Sequence, residues 1–363
     1  MGLLSACMLV FKEGTCGAFL KKNIDPIKQE GEIRVKEKII LDCDPGHDDA
    51  IALLLAAHHP QLELLAVTTV AGNQAVEKTS RNALKVCSLA GLHHIPVARG
   101  MEKPLVRAPG FAADIHGETG LDGPDMPEPV MSLVRMHAVD LLIDLLLRAE
   151  EPITLVATGP LTNIATALER SPHIARNIKA ISIMGGAIGL GNVTPAAEFN
   201  IWFDPEAAQK VFQCGRPITM VPLEVTHQAL ATKEIMRRLR SSGRRVANFA
   251  ADLLAFFADT YEQVFGFSAP PSMIPVLLPP SSIQPSSKAT ISALRLRLEG
   301  SGALAAPSAM STVRSNSHPM PASATASTSP TSGTSPLTLS LPMSESIRRS
   351  DGISPSTPPL PFN

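Results

Sequence analysis

Asp42, Asp44, Asp48 and Asp49 crowd into eight residues around a Pro45-Gly46 turn. Four carboxylates so close repel one another unless something positive sits among them. A hard cation with oxygen ligands, Ca²⁺ or Mg²⁺, is the simplest compensation. Helix capping by Asp48 or Asp49 accounts for one or two of these acids, but not for four. Other chemically capable residues recur down the chain: Asn73, His116, Thr158, the run Asn192–Asn200 with Glu198 inside it, and His227.

These groups need a scaffold that points them one way, and the periodicity supplies it. The apolar run Ile39–Leu41 reads as a buried strand that ends in the acids, and apolar residues then recur at helical spacing through Ile51 and Leu53–Leu55. Leu62–Val70, Ile95–Ala98, Ile153–Thr158, Ile181–Gly185 and Ile218–Val225 read as further strands. Helical patterns fall over Ala75–Ala90, Met136–Glu150, Leu161–Glu169 and Pro205–Gln213, with a last amphipathic helix around Tyr261. Glu102–Asp125 reads as a long loop able to act as a lid. Strands alternating with helices predict an α/β fold with a mainly parallel central sheet flanked by helices. Such sheets place their sites beyond the carboxyl ends of the strands, and Asp42–Asp49, Asn73, Thr158, Asn192–Asn200 and His227 all fall at such ends.

Composition narrows the setting. A net charge of −1 argues against a nucleic-acid partner. Five scattered cysteines with no paired spacing read as reduced thiols and point to the cytoplasm. No apolar run reaches membrane-spanning length, and residues 1–36 read as a loosely attached, non-secretory extension, with a degraded targeting segment as the alternative.

Asp42-Cys43-Asp44-Pro45-Gly46-His47-Asp48-Asp49 resembles the N-terminal signature of the inosine-uridine-preferring nucleoside hydrolases. Glu198-Phe199-Asn200 followed by Asp204-Pro205-Glu206-Ala207-Ala208 is similar to the same family, and the resemblance covers roughly residues 37–271. It implies the Rossmann-like sheet of that family and a Ca²⁺-dependent hydrolysis of the N-glycosidic bond of purine and pyrimidine ribonucleosides, purine nucleosidase activity included. By resemblance, Asp44 is general base and metal ligand, Asp49 is the principal ligand, and Thr158 gives a backbone carbonyl. Asp48 holds the 2′-hydroxyl, and Asn192 and Glu198 the 5′-hydroxyl. Asn200 holds a ring hydroxyl, and Asn73 belongs to the same substrate set. His116 lies near the base, and Tyr261 is placed to stack on it. Asp42 supports the other acids from behind, His227 is read as structural, and Asp204 as the cap of the helix at Pro205. Thr162 and Asn163 read as helix caps. A phosphotransferase of the haloacid dehalogenase type, with Asp42 as nucleophile, leaves the Asn192–Asn200 loop unexplained. The partners expected are a ribonucleoside and, if the C-terminus were intact, further copies of the chain in a dimer or tetramer.

One departure stands out. The family continues into a His-Asp-Pro-Cys-Ala run whose aspartate binds metal and ribose, and here the chain reads Ser272-Met273-Ile274-Pro275-Val276-Leu277-Leu278-Pro279. One codon spelling of His-Asp-Pro-Cys-Ala-Val-Ala, CAT GAT CCC TGT GCT GTT GCC, begun one nucleotide late, gives Met-Ile-Pro-Val-Leu-Leu-Pro, which is Met273 to Pro279. Residues 272–363 then turn aperiodic and rich in Ser and Pro, so a disordered, frame-shifted tail is expected, with a genuine divergent tail as the alternative. A non-catalytic relative with a weakened metal and ribose pocket is the alternative function.

Overall fold

The computed structural model describes residues 36–266, 269–271, 294–296 and 307–309. Its centre is a six-stranded, all-parallel sheet in the order β3-β2-β1-β4-β5-β6. The strands are β1 (Glu37–Cys43), β2 (Leu62–Thr69), β3 (Val97–Arg99), β4 (Ile153–Ala157), β5 (Ile178–Met184) and β6 (Ile218–Val221). β1 is central and covered on both faces, which is why its sequence is almost continuously apolar up to Asp42. Ile39, Leu41 and Cys43 face one core layer and Ile40 the other, as the two-residue period of a strand requires.

The first layer is built by α1 (His47–His58), α2 (Val76–Leu89), α9 (Lys233–Ser241) and α10 (Arg245–Phe265). The second holds α4 (Ala138–Arg148), α5 (Thr162–Arg170) and α7 (Pro205–Phe212). Short helices α3 (Ala113–His116), α6 (Phe199–Phe203) and α8 (Leu223–Thr226) lie in the loops. Complete burial of a side chain such as Leu53 or Leu155 is worth about 1.5–3 kcal/mol, so both layers contribute heavily.

Two expectations change. Ile218–Val225 is not one strand: the ladder stops at Val221, because Pro222 has no N–H to give, and Leu223–Thr226 coils into α8. Thr162 and Asn163 do not cap α5, whose first flanking residue is Leu161 with no side-chain cap. Asp204 does cap α7, accepting from the Ala207 N–H at 3.0 Å.

Two three-residue strands, β7 (Leu294–Leu296) and β8 (Pro307–Ala309), pair antiparallel apart from this sheet. The rest of the expected tail, and residues 1–35 of the expected extension, lie outside the described residues.

Candidate active site

The strand order reverses between β1 and β4, and in open α/β sheets that reversal opens a crevice at the carboxyl ends. The acid-rich turn after β1 and Thr158 after β4 meet there. Gly46 ends the turn in extended backbone and α1 begins at His47. The Gly46 N–H donates to Asp49 Oδ2 at 3.3 Å, so Asp49 does cap this helix as well. Asp48 Oδ1 accepts from the Asp49 N–H at 3.1 Å.

Asn73 binds the acids together. Its backbone N–H donates to Asp44 Oδ2 at 2.7 Å, and its side-chain amide donates to the Asp44 carbonyl at 3.0 Å and to Asp49 Oδ2 at 3.3 Å. Asp42 sits behind, accepting at Oδ1 from Thr68 Oγ1 at 2.6 Å and from Asn163 Nδ2 at 2.8 Å. Asn163 therefore clamps Asp42, the part a helix cap would have left undone.

The electrostatics are those of crowded, buried carboxylates. Burial raises Asp44 far above the usual range, the Asp49 charge pushes it further, and the Asn73 N–H opposes both. Burial and Asp49 push Asp48 up to about 8, although its side chain is partly open to the crevice. Asp49 rises to about 6 by burial, held back by the Thr158 hydroxyl and the Gly46 N–H. Burial also takes Asp42 to about 7 against the pull of Asn163 and Thr68.

Asp44 Oδ1, Asp49 Oδ1 and Asp42 Oδ2 are buried with no hydrogen-bond partner. The Thr158 hydroxyl lies close enough to Asp49 to lower its pKa, yet makes no hydrogen bond of good geometry. Glycine backbone closes directly on Asp44, where no side chain would fit. A Cβ on Gly72 would stand 2.1 Å from Asp44 Oδ2, and one on Gly159 2.5 Å from Oδ1. Orphaned carboxylate oxygens in a side-chain-free cradle suit a hard cation. Among the described residues no three Asp, Glu, His or Cys side chains form a ligand set by themselves, so an ion here would need a further oxygen, such as the Thr158 carbonyl.

Beside this cluster lies a cavity of about 400 Å³. Asp48, Asn73, His116, Asn192, Glu198, Asn200 and Tyr261 all line it, so residues spread over the whole domain converge on one space. Asp44, Asp49 and Thr158 are not among the lining residues; each is fully buried. Glu198 Oε2 accepts from the Gly186 N–H at 2.8 Å and the Ile201 N–H at 3.2 Å, and burial still pushes it up to about 7. Asn192 Oδ1 accepts from the Phe199 N–H at 3.0 Å. His227 is not among the lining residues and ends α8, its N–H bonded to the Leu223 carbonyl at 2.8 Å.

Other groups escaped the sequence reading. His47 is fully buried against His116. Thr226 and Pro271 line the cavity. His47 lies inside the acid motif, and that position was its only signal.

Comparison with known proteins agrees with this geometry. The sequence profile described as inosine-uridine preferring nucleoside hydrolase matches residues 39–299, past residue 271, where the resemblance was expected to end. The pyrimidine-specific ribonucleoside hydrolase RihA of Enterobacter sp. (strain 638) is 52% identical over 234 residues, 64% of this chain and 75% of that protein. RihA of Escherichia coli O81 (strain ED1a) is 50% identical over 234 residues, with the same shares. Among solved structures, the plant nucleoside hydrolase PpNRh1 superposes with a TM-score of 0.67 and 32% identity, over 74% of this chain and 86% of that one. The purine-preferring ribonucleoside hydrolase from Gardnerella vaginalis gives 0.65 and 32%, over 73% and 86%. With its parallel sheet, its buried carboxylates at the β1–β4 crevice and these relatives, the chain belongs to the inosine-uridine preferring nucleoside hydrolases, a family of enzymes.

Proposed function

We propose that this chain is built to hydrolyse the N-glycosidic bond of pyrimidine ribonucleosides with Ca²⁺ as cofactor. The observation that carries the reading is the pair of orphaned oxygens, Asp44 Oδ1 and Asp49 Oδ1, beside a cavity lined by Asp48, Asn192, Glu198 and Asn200. The choice of pyrimidine over the broader purine and pyrimidine range follows the RihA relatives, which are named as pyrimidine-specific.

Asp44, Asp49 and the Thr158 carbonyl would hold the ion, which when bound supplies a Lewis acid beside the sugar. Asp44 takes the proton of the attacking water, as an ionised carboxylate beside the bound ion can. Asp48 orients the 2′-hydroxyl, Asn200 a ring hydroxyl, and Asn192 with Glu198 the 5′-hydroxyl. As the bond to the base loosens, positive charge grows on the ribosyl ring and the buried carboxylates stabilise it in a water-poor site. His116 and Tyr261 face the departing base; Tyr261 is held edge-on to Phe257, ring centres 4.6 Å apart. The setting we infer is the cytoplasm, in keeping with the free thiols of Cys43, Cys87 and Cys214, and a dimer or tetramer would form if the C-terminus were intact.

A second reading, a relative with a weakened pocket, has its own support. Pro271 lines the cavity, bridged to Leu230, and the next residues are those that replace the family's His-Asp run. Release of ribose from uridine, cytidine and inosine, with Ca²⁺ and with a chelator, tests both. Calcium-dependent turnover of the pyrimidine nucleosides is expected under the first reading; nucleoside binding without turnover supports the second.

A further inference from the structure

None of the steps above uses His47, yet it is wedged between the acid turn and His116. Its ring lies nearly parallel to Phe256 (centroids 5.0 Å apart, 7° between planes) and to Phe257 (5.5 Å, 3°), so packing fixes its orientation. Protons on an imidazole are read from its partners. His47 Nε2 stands 2.8 Å from the Asp122 carbonyl oxygen, which can only accept, so Nε2 carries the proton. Above pH 7.5 an imidazole carries a single proton, and in His47 the Asp122 carbonyl holds it on Nε2. His47 Nδ1 is therefore a bare acceptor.

That leaves His116 Nδ1 facing two opposite groups of one residue. His47 Nδ1, an acceptor, lies at 3.3 Å, and the His47 backbone N–H, a donor, at 3.4 Å. If His116 carries its proton on Nδ1, it donates to the His47 ring. If it carries the proton on Nε2, its Nδ1 accepts from the His47 amide. Each tautomer has a partner of similar length, so neither is strongly preferred. His116 Nε2, the nitrogen left for the cavity, is an acceptor in the first case and a donor in the second.

We infer that His47 is a positioning residue that lets His116 offer the base either a donor or an acceptor, so that the cavity accommodates both pyrimidine edges. Uracil presents a ring N–H beside a carbonyl, and cytosine a bare ring nitrogen beside an amino group, so their hydrogen-bonding patterns are reversed. A histidine locked in one tautomer would favour one of them, because a site that leaves a buried polar group unpaired rejects the ligand that causes it. This rests on the proposed contact between His116 and the base.

The test is two-bond ¹H–¹⁵N correlation on the ¹⁵N-histidine-labelled full chain above pH 7.5, with His116 assigned by loss of its signal in His116→Gln. Wild type is expected to show both tautomers of neutral His116, or ring shifts averaged between them. His47→Phe keeps the ring packing and the amide but removes the acceptor, and should drive His116 to the Nε2–H form. His47→Gln, which returns a side-chain acceptor, should restore the mixture in part. A single locked tautomer in wild type overturns the inference whether or not either variant folds. In parallel, the ratio of uridine to cytidine dissociation constants, measured with Ca²⁺ present, should shift at least tenfold in His47→Phe; an unchanged ratio also counts against it. If wild type binds neither nucleoside, the proposed function fails, while the spectrum still decides the role of His47.

Discussion

Asn200 donates from Nδ2 to the backbone carbonyl oxygen of Thr158 at 2.8 Å, so a residue of the sugar-facing loop and a proposed metal ligand share one hydrogen bond. The same Nδ2 reaches the Met184 carbonyl at 3.1 Å. Asn200→Ala strands two buried carbonyls and should cost about 1–3 kcal/mol of stability in denaturant titrations. Calorimetry should show calcium and uridine affinity falling together. A loss of uridine binding alone, with calcium binding untouched, would place Thr158 outside the metal site.

The carboxylates predict an unusual pH response. Asp48 at about 8 and Asp49 at about 6 lie above their ordinary values, so the folded protein holds protons that the unfolded chain has released. Stability falls with pH where the native state binds more protons, by about 1.4 kcal/mol for each extra proton held over one pH unit. Asp42 and Glu198, each at about 7, act in the same sense. His47 and His116, with lowered pKa values, act oppositely but only below about 6.5. In a chelator, unfolding free energy should therefore decline between pH 6.5 and 8. Saturating Ca²⁺ should flatten or reverse that slope, and its affinity should rise over the same interval as protons leave. A metal-free protein that gained stability through this window would contradict the raised pKa values.

Removing one acid should separate folding from function. Asp44→Asn keeps an acceptor for the Asn73 N–H and relieves repulsion with Asp49. Metal-free melting should be unchanged or slightly higher, while calcium affinity drops by more than the roughly tenfold to hundredfold lost when a group behind the ligands is removed. Asp49→Ala should lose calcium more completely. In a protein whose site is complete, either change should abolish hydrolysis while the fold survives. Near-normal turnover in either variant would remove the roles given to these residues.

The frame-shift proposal for the segment after Pro271 is decided by the transcript. An alternate frame near Ser272 should spell His-Asp-Pro and resume alternating helix and strand patterns. Absence of a His-Asp pair in every frame there would end the idea. If it holds, restoring the frame should raise calcium affinity, because an aspartate would join the oxygens of Asp44, Asp49 and Thr158.

The acid turn, its strand and its helix were legible because they are contiguous: an apolar run, a Pro-Gly turn and helical spacing all fall within Lys38–Ala56. The cap at Asp204 was legible for the same reason, its partner Ala207 being three residues away. The break at Pro222 was also written in the chain, as a residue with no N–H to give the ladder. Partners far apart were not legible. Asn163 reads locally as a helix cap, yet it reaches Asp42, 121 residues away, because β1 and β4 lie side by side at the sheet's reversal. His47 reads as one more residue of an acid motif, and only the folding of Ala113–His116 back over α1 places it against His116. Short-range hydrogen bonds and periodicity are properties of neighbours in sequence, so residue types reveal them. Which strands pair, and which loop then covers the crevice, depends on the packing of both core layers at once, and that packing brought the two histidines together.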